Sequence, residues 1–143
     1  MDVVGVLIKW LHLLGAAAAV GGAIYATMVL GPGMAGLGAE AKGKLAAGLA
    51  ERLRPLAFWV IGVMLLTGLY NVVTNISGKP AGYHIALTLK LLFAMHVFAV
   101  LFLLSTPPGA NPARDARRGR LMAGAAISGA LTLLFSAVLT RGF

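Results

Sequence analysis

The stretch VVGVLIKWLHLLGAAAAVGGAIYATMVL, residues 3–30, decides the fold. It is apolar over more than the roughly 20 residues a helix needs to cross hydrocarbon, and Lys9 and His12 are its only basic groups. A secretory leader has a basic start, a shorter apolar core and a small-residue cleavage site. This run opens Met1-Asp2 and has none of these, so a retained membrane span is expected.

Three more stretches of the same kind follow, at residues 56–74, 83–104 and 121–140. Proline and glycine punctuate them at Gly31-Pro32-Gly33, Pro55, Lys79-Pro80 and Pro107-Pro108-Gly109. Residues 36–54 keep alanine and leucine but add Glu40, Lys42, Lys44, Glu51, Arg52 and Arg54. Glu40 and Lys44 fall at i,i+4, a helix-supporting pair. The segment reads as an amphipathic interfacial helix or an extension of the second span, with a solvated helical loop as the plain alternative. The expected fold class is all-α: an integral membrane four-helix bundle in one domain, residues 1–143.

Composition agrees. Of 143 residues, 59% are hydrophobic and 11% charged, where a soluble domain carries about 25% charged. The net charge of +8 would point to nucleic acid in a soluble protein. Here no basic-aromatic groove accompanies it, and the charge sits in loops. Lys42, Lys44, Arg52 and Arg54 precede the second span; Arg114, Arg117, Arg118 and Arg120 precede the fourth. Basic residues stay on the cytoplasmic side. The expected topology is therefore N-out/C-out, in a cell inner membrane, with the termini on the periplasmic or extracytoplasmic side. Cysteine is absent, which excludes disulfides and thiolate metal sites. Asn75-Ile76-Ser77 matches a glycosylation sequon, a tripeptide short enough to arise by chance.

Ionisable groups inside a bilayer are costly and mark function by default. His12, Lys90 and His96 lie within spans; Lys9 and His84 lie near the outer ends. His12 and His96 come from helices that both enter from the termini side, at comparable depth, and Tyr70 and Asn71 fall in the same half. His12, Gly15, Ala19, Gly22 and Ala26 form one small-residue stripe at helical spacing. Such a stripe serves close helix approach, or a groove for a flat ligand bound at its centre by His12. Neutral imidazole is the axial ligand of b-type haem, and bundle cores hold such cofactors. His12 and His96 are thus the expected metal ligands, with Lys90, Lys9 and His84 toward the propionates and Tyr70 or Asn71 orienting the rings. On the fourth span Gly124, Ser128, Thr132, Ser136 and Thr140 recur every fourth residue, read as a packing face.

Ile8-Lys9-Trp10-Leu11-His12-Leu13-Leu14-Gly15 with Val20-Gly21-Gly22 resembles the first helix of the copper resistance D (CopD-like) membrane domain and of the related HemJ-type protoporphyrinogen oxidases. Leu66-Thr67-Gly68-Leu69-Tyr70-Asn71 and Leu87-Thr88-Leu89-Lys90-Leu91-Leu92 fit the same pattern, so the resemblance covers three helices. It implies a four-helix unit with His12 and Lys90 as functional positions, and either haem b or copper handling. Where HemJ-type proteins carry an aromatic/Pro-Arg segment, this chain has Ala26-Thr27-Met28-Val29-Leu30-Gly31-Pro32. That implies a haem-binding or copper-handling member rather than a protoporphyrinogen oxidase.

The expected function is a membrane redox protein binding haem b through transmembrane histidines, an electron carrier or haem-dependent oxidoreductase, its catalytic residues unassigned. The alternatives are copper transport or resistance, with His12, His84, His96 and Met95 as ligands, and a non-catalytic subunit of a membrane complex. Soft copper sites want several converging sulfurs; Met28, Met64 and Met95 are scattered, which disfavours copper. Expected partners are the lipid bilayer, a redox partner or a quinone- or porphyrin-like molecule, and a second copy of the chain.

Overall fold

The computed structural model describes residues 2–109 and 111–142. Four helices account for nearly all of it, and no strand occurs among the described residues. They are α1 (Val3–Gly33), α2 (Ala39–Asn75), α3 (Ala81–Leu104) and α4 (Arg118–Arg141), with one further turn at Pro112–Ala116. Each is long and apolar enough to cross a membrane. Running alternately up and down, they bring both termini to one end of the bundle, the termini end; the α1–α2 and α3–α4 connections lie at the other, the loop end.

Each helix turns a heptad-like stripe inward. On α2 it is Ala50, Leu53, Ala57, Val60, Met64 and Thr67; on α3 it is Tyr83, Leu87, Lys90, Ala94, Val97, Leu101 and Leu104. Spacings of three and four keep such a stripe on one helix face. α1 packs against α2 and α4, and α3 against α4 and α2, so α1 and α3 stand diagonally opposite. Ala19, Ala57, Val60, Met64, Val97, Phe98 and Leu101 form one core cluster; Ala23, Val100, Leu104 and Ala125 form a second. Both clusters are made of apolar side chains. Around the outside, Leu66 is 73% exposed, Met28 72% and Trp59 68%. Apolar side chains turned outward on every span suit a lipid environment.

Helix starts follow local chemistry. Asp2 caps α1, its Oδ1 accepting from Gly5 N–H at 3.1 Å. Gly78, at φ +73°, makes the left-handed turn between α2 and α3, a conformation glycine adopts at no steric cost. Glu40 and Lys44 do pair at 2.7 Å, but both are exposed and contribute little.

Two proline-marked breaks are bridged instead. The run of α1 expected to stop at Leu30 continues to Gly33 through a π turn over Ala26–Leu30, closed by Gly31 N–H to Ala26 O. A π turn shifts the hydrogen-bond register, and Pro32 has no N–H to place in it. Likewise α2 begins at Ala39, not near Leu56, and runs through Pro55. The carbonyl that Pro55 leaves unbonded belongs to Glu51, an exposed residue at the loop end where water can serve it. Residues 39–54 therefore extend the second span, the second of the two helical readings.

At the loop end two arginines do more than carry charge. Arg114 bonds the carbonyls of Leu103 and Pro107 and the Thr106 hydroxyl, and Arg118 bonds the carbonyls of Leu104 and Thr106. The carbonyls of Leu103 and Leu104 are orphans of the last turn of α3, and those of Thr106 and Pro107 follow it. Asp115 ties both guanidiniums together, at 3.2 and 3.0 Å, and accepts from Gly109 N–H at 2.6 Å. The Gly109 amide, then the Arg118 side chain, hold its carboxyl below the usual carboxylate range.

Candidate functional site

His12 lies nine residues past Val3 on α1, about 14 Å along the helix from the termini end. Its half-buried ring turns toward α2. Nδ1 is 2.8 Å from Thr67 Oγ1, and a Cβ on Gly68 would sit 3.4 Å from His12 Cε1. Thr67 is buried, and its hydroxyl donates to Val63 O at 2.6 Å. A hydroxyl has one proton. With that proton on Val63 O, Thr67 can only accept from His12, so Nδ1 carries the hydrogen and Nε2 carries the lone pair. Nε2 has no hydrogen-bond partner among the described residues.

Lys90 lies nine residues past Ala81, the same depth as His12, on the inward stripe of α3. It is half-buried. Asn71, also half-buried, follows Thr67 by one turn on the inward side of α2, nearer the termini end. The termini half of the bundle interior thus gathers His12, Thr67, Lys90 and Asn71, while the two core clusters are apolar.

His96 stands elsewhere. It lies fifteen residues past Ala81, about 22 Å along α3. Its Nδ1 is 2.8 Å from Ser128 Oγ on α4, and a Cβ on Gly124 would sit 3.3 Å from its Cε1. The ring is exposed on the outside of the α3/α4 pair. The structure sets His12 and Lys90 at one depth, but not His12 and His96. They differ by about 9 Å in depth, sit on diagonal helices and turn to different neighbours.

The remaining expected residues are dispersed. Lys9 and Tyr70 are exposed. His84 is exposed beside an open hollow of about 290 Å³ bounded by Ile85, Thr88 and Leu89, all on α3. Gly15 is buried, but Met64 fills the space before it: a Cβ there would lie 2.9 Å from Met64 Sδ. The small-residue stripe then continues through Ala19 and Ala23, not Gly22, which is exposed with nothing within 4 Å of an added Cβ. At Gly15 the stripe serves helix approach. Among the described residues no group of three or more His, Cys, Asp or Glu side chains converges.

Sequence reasoning passed over Thr67 and Ser128, the hydroxyls that hold the two histidines. The available signal was a hydroxyl beside or one turn from a glycine within an apolar span: Thr67-Gly68, and Gly124 with Ser128.

No family model, no curated protein and no solved structure matches this chain.

Proposed function

We propose that the chain is a multi-pass membrane redox protein that binds haem b through His12, in the half of the bundle nearest the termini. The observation that carries this reading is the Thr67–His12 contact. A neutral imidazole with its Nδ1 proton committed to a fixed acceptor, and its Nε2 lone pair unspent, is the form that ligates iron. Lys90, at the same depth, supplies the cation that a propionate carboxylate would seek. Bound haem supplies one-electron redox chemistry. The residues themselves hold the ring orientation: Val63 O fixes the Thr67 hydroxyl, which fixes the His12 tautomer. The resemblance of residues 8–15, 66–71 and 87–92 to CopD-like and HemJ-type proteins supports the same pair of positions.

Copper is the weaker reading, because a soft metal wants several converging ligands and no such cluster occurs among the described residues. His96 has the donor chemistry of a ligand but is apart from His12, so His12 alone is assigned to the haem. In this proposal the membrane is a cell inner membrane, with the termini end outside and the basic loop end in the cytoplasm, as positive residues direct. The test is a visible spectrum and a metal analysis of the protein purified in detergent. A Soret band that shifts on reduction, with iron and without stoichiometric copper, is expected; bound copper with no Soret band would overturn the reading.

A further inference from the structure

His96 lies about 100° around α3 from the inward-facing Val97, hence on the flank of the bundle. Exposed Leu92, Met95 and Ala99 neighbour it on α3, and exposed Ile127 precedes its partner Ser128 on α4. Its Nδ1 is held, yet its Nε2 has no hydrogen bond among the described residues. At about 22 Å from one end of α3 and about 12 Å from the other, the ring is beyond reach of water and headgroups when the span is in a bilayer. Hydrocarbon offers an imidazole nitrogen nothing to bond. A polar side chain turned outward at this depth requires a protein partner with a polar group at the same depth.

A second copy of the chain meets that requirement automatically. Copies inserted with the same topology are parallel, and a two-fold axis along the membrane normal sets each residue opposite its own depth. His96 then faces the second copy's His96. Pairing two imidazoles through Nε2 needs one ring to donate and the other to accept, and therefore two tautomers. Here His96 differs from His12. Thr67 spends its proton on Val63 O and fixes one tautomer, whereas Ser128 Oγ has no second bond and can either accept from Nδ1 or donate to it. The His96–Ser128 pair accommodates both tautomers.

We propose that the chain forms a parallel homodimer through the outer flank of α3 and α4, joined by a hydrogen bond between the two His96 side chains. This goes beyond the haem reading and does not rest on it. The absence of cysteine allows a direct test in native-like vesicles. Ala99→Cys and Leu92→Cys, oxidised at low protein-to-lipid ratio, are expected to yield covalent dimers. Trp59→Cys, exposed on α2, is expected to yield little. Adding His96→Leu to Ala99→Cys should lower the dimer fraction by about threefold to tenfold, the range for losing one interhelical hydrogen bond in a membrane. His96→Gln, which keeps a donor and an acceptor, should restore much of it. Absence of cross-linking at both Ala99→Cys and Leu92→Cys overturns the proposal, as does equal yield at Trp59→Cys or indifference to His96→Leu.

Discussion

The Thr67 hydroxyl lies 2.8 Å from His12 Nδ1 while donating to the Val63 carbonyl at 2.6 Å, so one buried threonine on α2 fixes the tautomer of a histidine on α1. The hydroxyl-to-carbonyl bond within a helix turn is common for threonine in apolar helices. What distinguishes this one is the imidazole that uses the remaining lone pair. The relation links a local helix feature to the ligand chemistry of a different helix.

Thr67→Val keeps the shape of the side chain and removes the acceptor. It is expected to weaken haem retention about 10- to 100-fold, the range for losing a group that orients a metal-binding histidine. Thr67→Ser should stay near wild type. The measurement is the rate of haem transfer to an excess of an apo-globin acceptor.

Gly15 and Gly22 lie about two turns apart on α1 and are expected to respond oppositely. Gly15→Leu drives a side chain into Met64, whose Sδ would be 2.9 Å from the new Cβ. Overpacking of this kind costs about 1–3 kcal/mol, read as a lower melting temperature in detergent. Gly22→Leu enters open space and should change the melt little.

Much of the architecture was legible in the sequence, because each span announces itself by length and apolar composition. The ends of α1 and α2 were not. Pro32 and Pro55 are strong breakers, and only the π turn and the exposed position of Glu51 show how the helix survives each. The candidate site was legible in part. His12 and Lys90 stand out as ionisable groups in apolar runs, but the sequence matched His12 in depth to His96; the start of α3 at Ala81 sets Lys90, nine residues in, level with His12 instead. His96 stands out equally, yet which flank of α3 it occupies depends on helix rotation, and that is set by packing. Thr67 was harder to read, because a lone threonine in an apolar helix can satisfy itself, and only the neighbouring Gly68 signals room for a ring.

At the loop end, Asp115 joins Arg114 and Arg118 under the last carbonyls of α3. Its carboxyl is held below the usual range by the Gly109 amide first and by Arg118 next. A carboxyl with a depressed folded-state pKa stabilises the fold above its unfolded pKa, and that contribution is lost as pH falls through the folded value. Protection of the 104–109 amides, taken as their exchange relative to the intrinsic rate at each pH, should therefore be high at neutral pH and fall in acid, below about pH 4. Asp115→Asn should exchange fast at neutral pH and lose most of this acid dependence.

In the proposed orientation the eight basic residues at the loop end stay in the cytoplasm. A reporter fused after Phe143 that works only outside the cytoplasm is expected to be active, and one that works only inside is expected to be silent. The reverse pattern would place the His12 half of the bundle on the cytoplasmic side.

Spectra of reduced His12→Ala, His96→Ala and His84→Ala, each purified alongside wild type, test the central claim most directly. The Soret band is expected to disappear in His12→Ala and to persist in His84→Ala and His96→Ala. An undiminished Soret band in His12→Ala, with the protein folded, would contradict that claim.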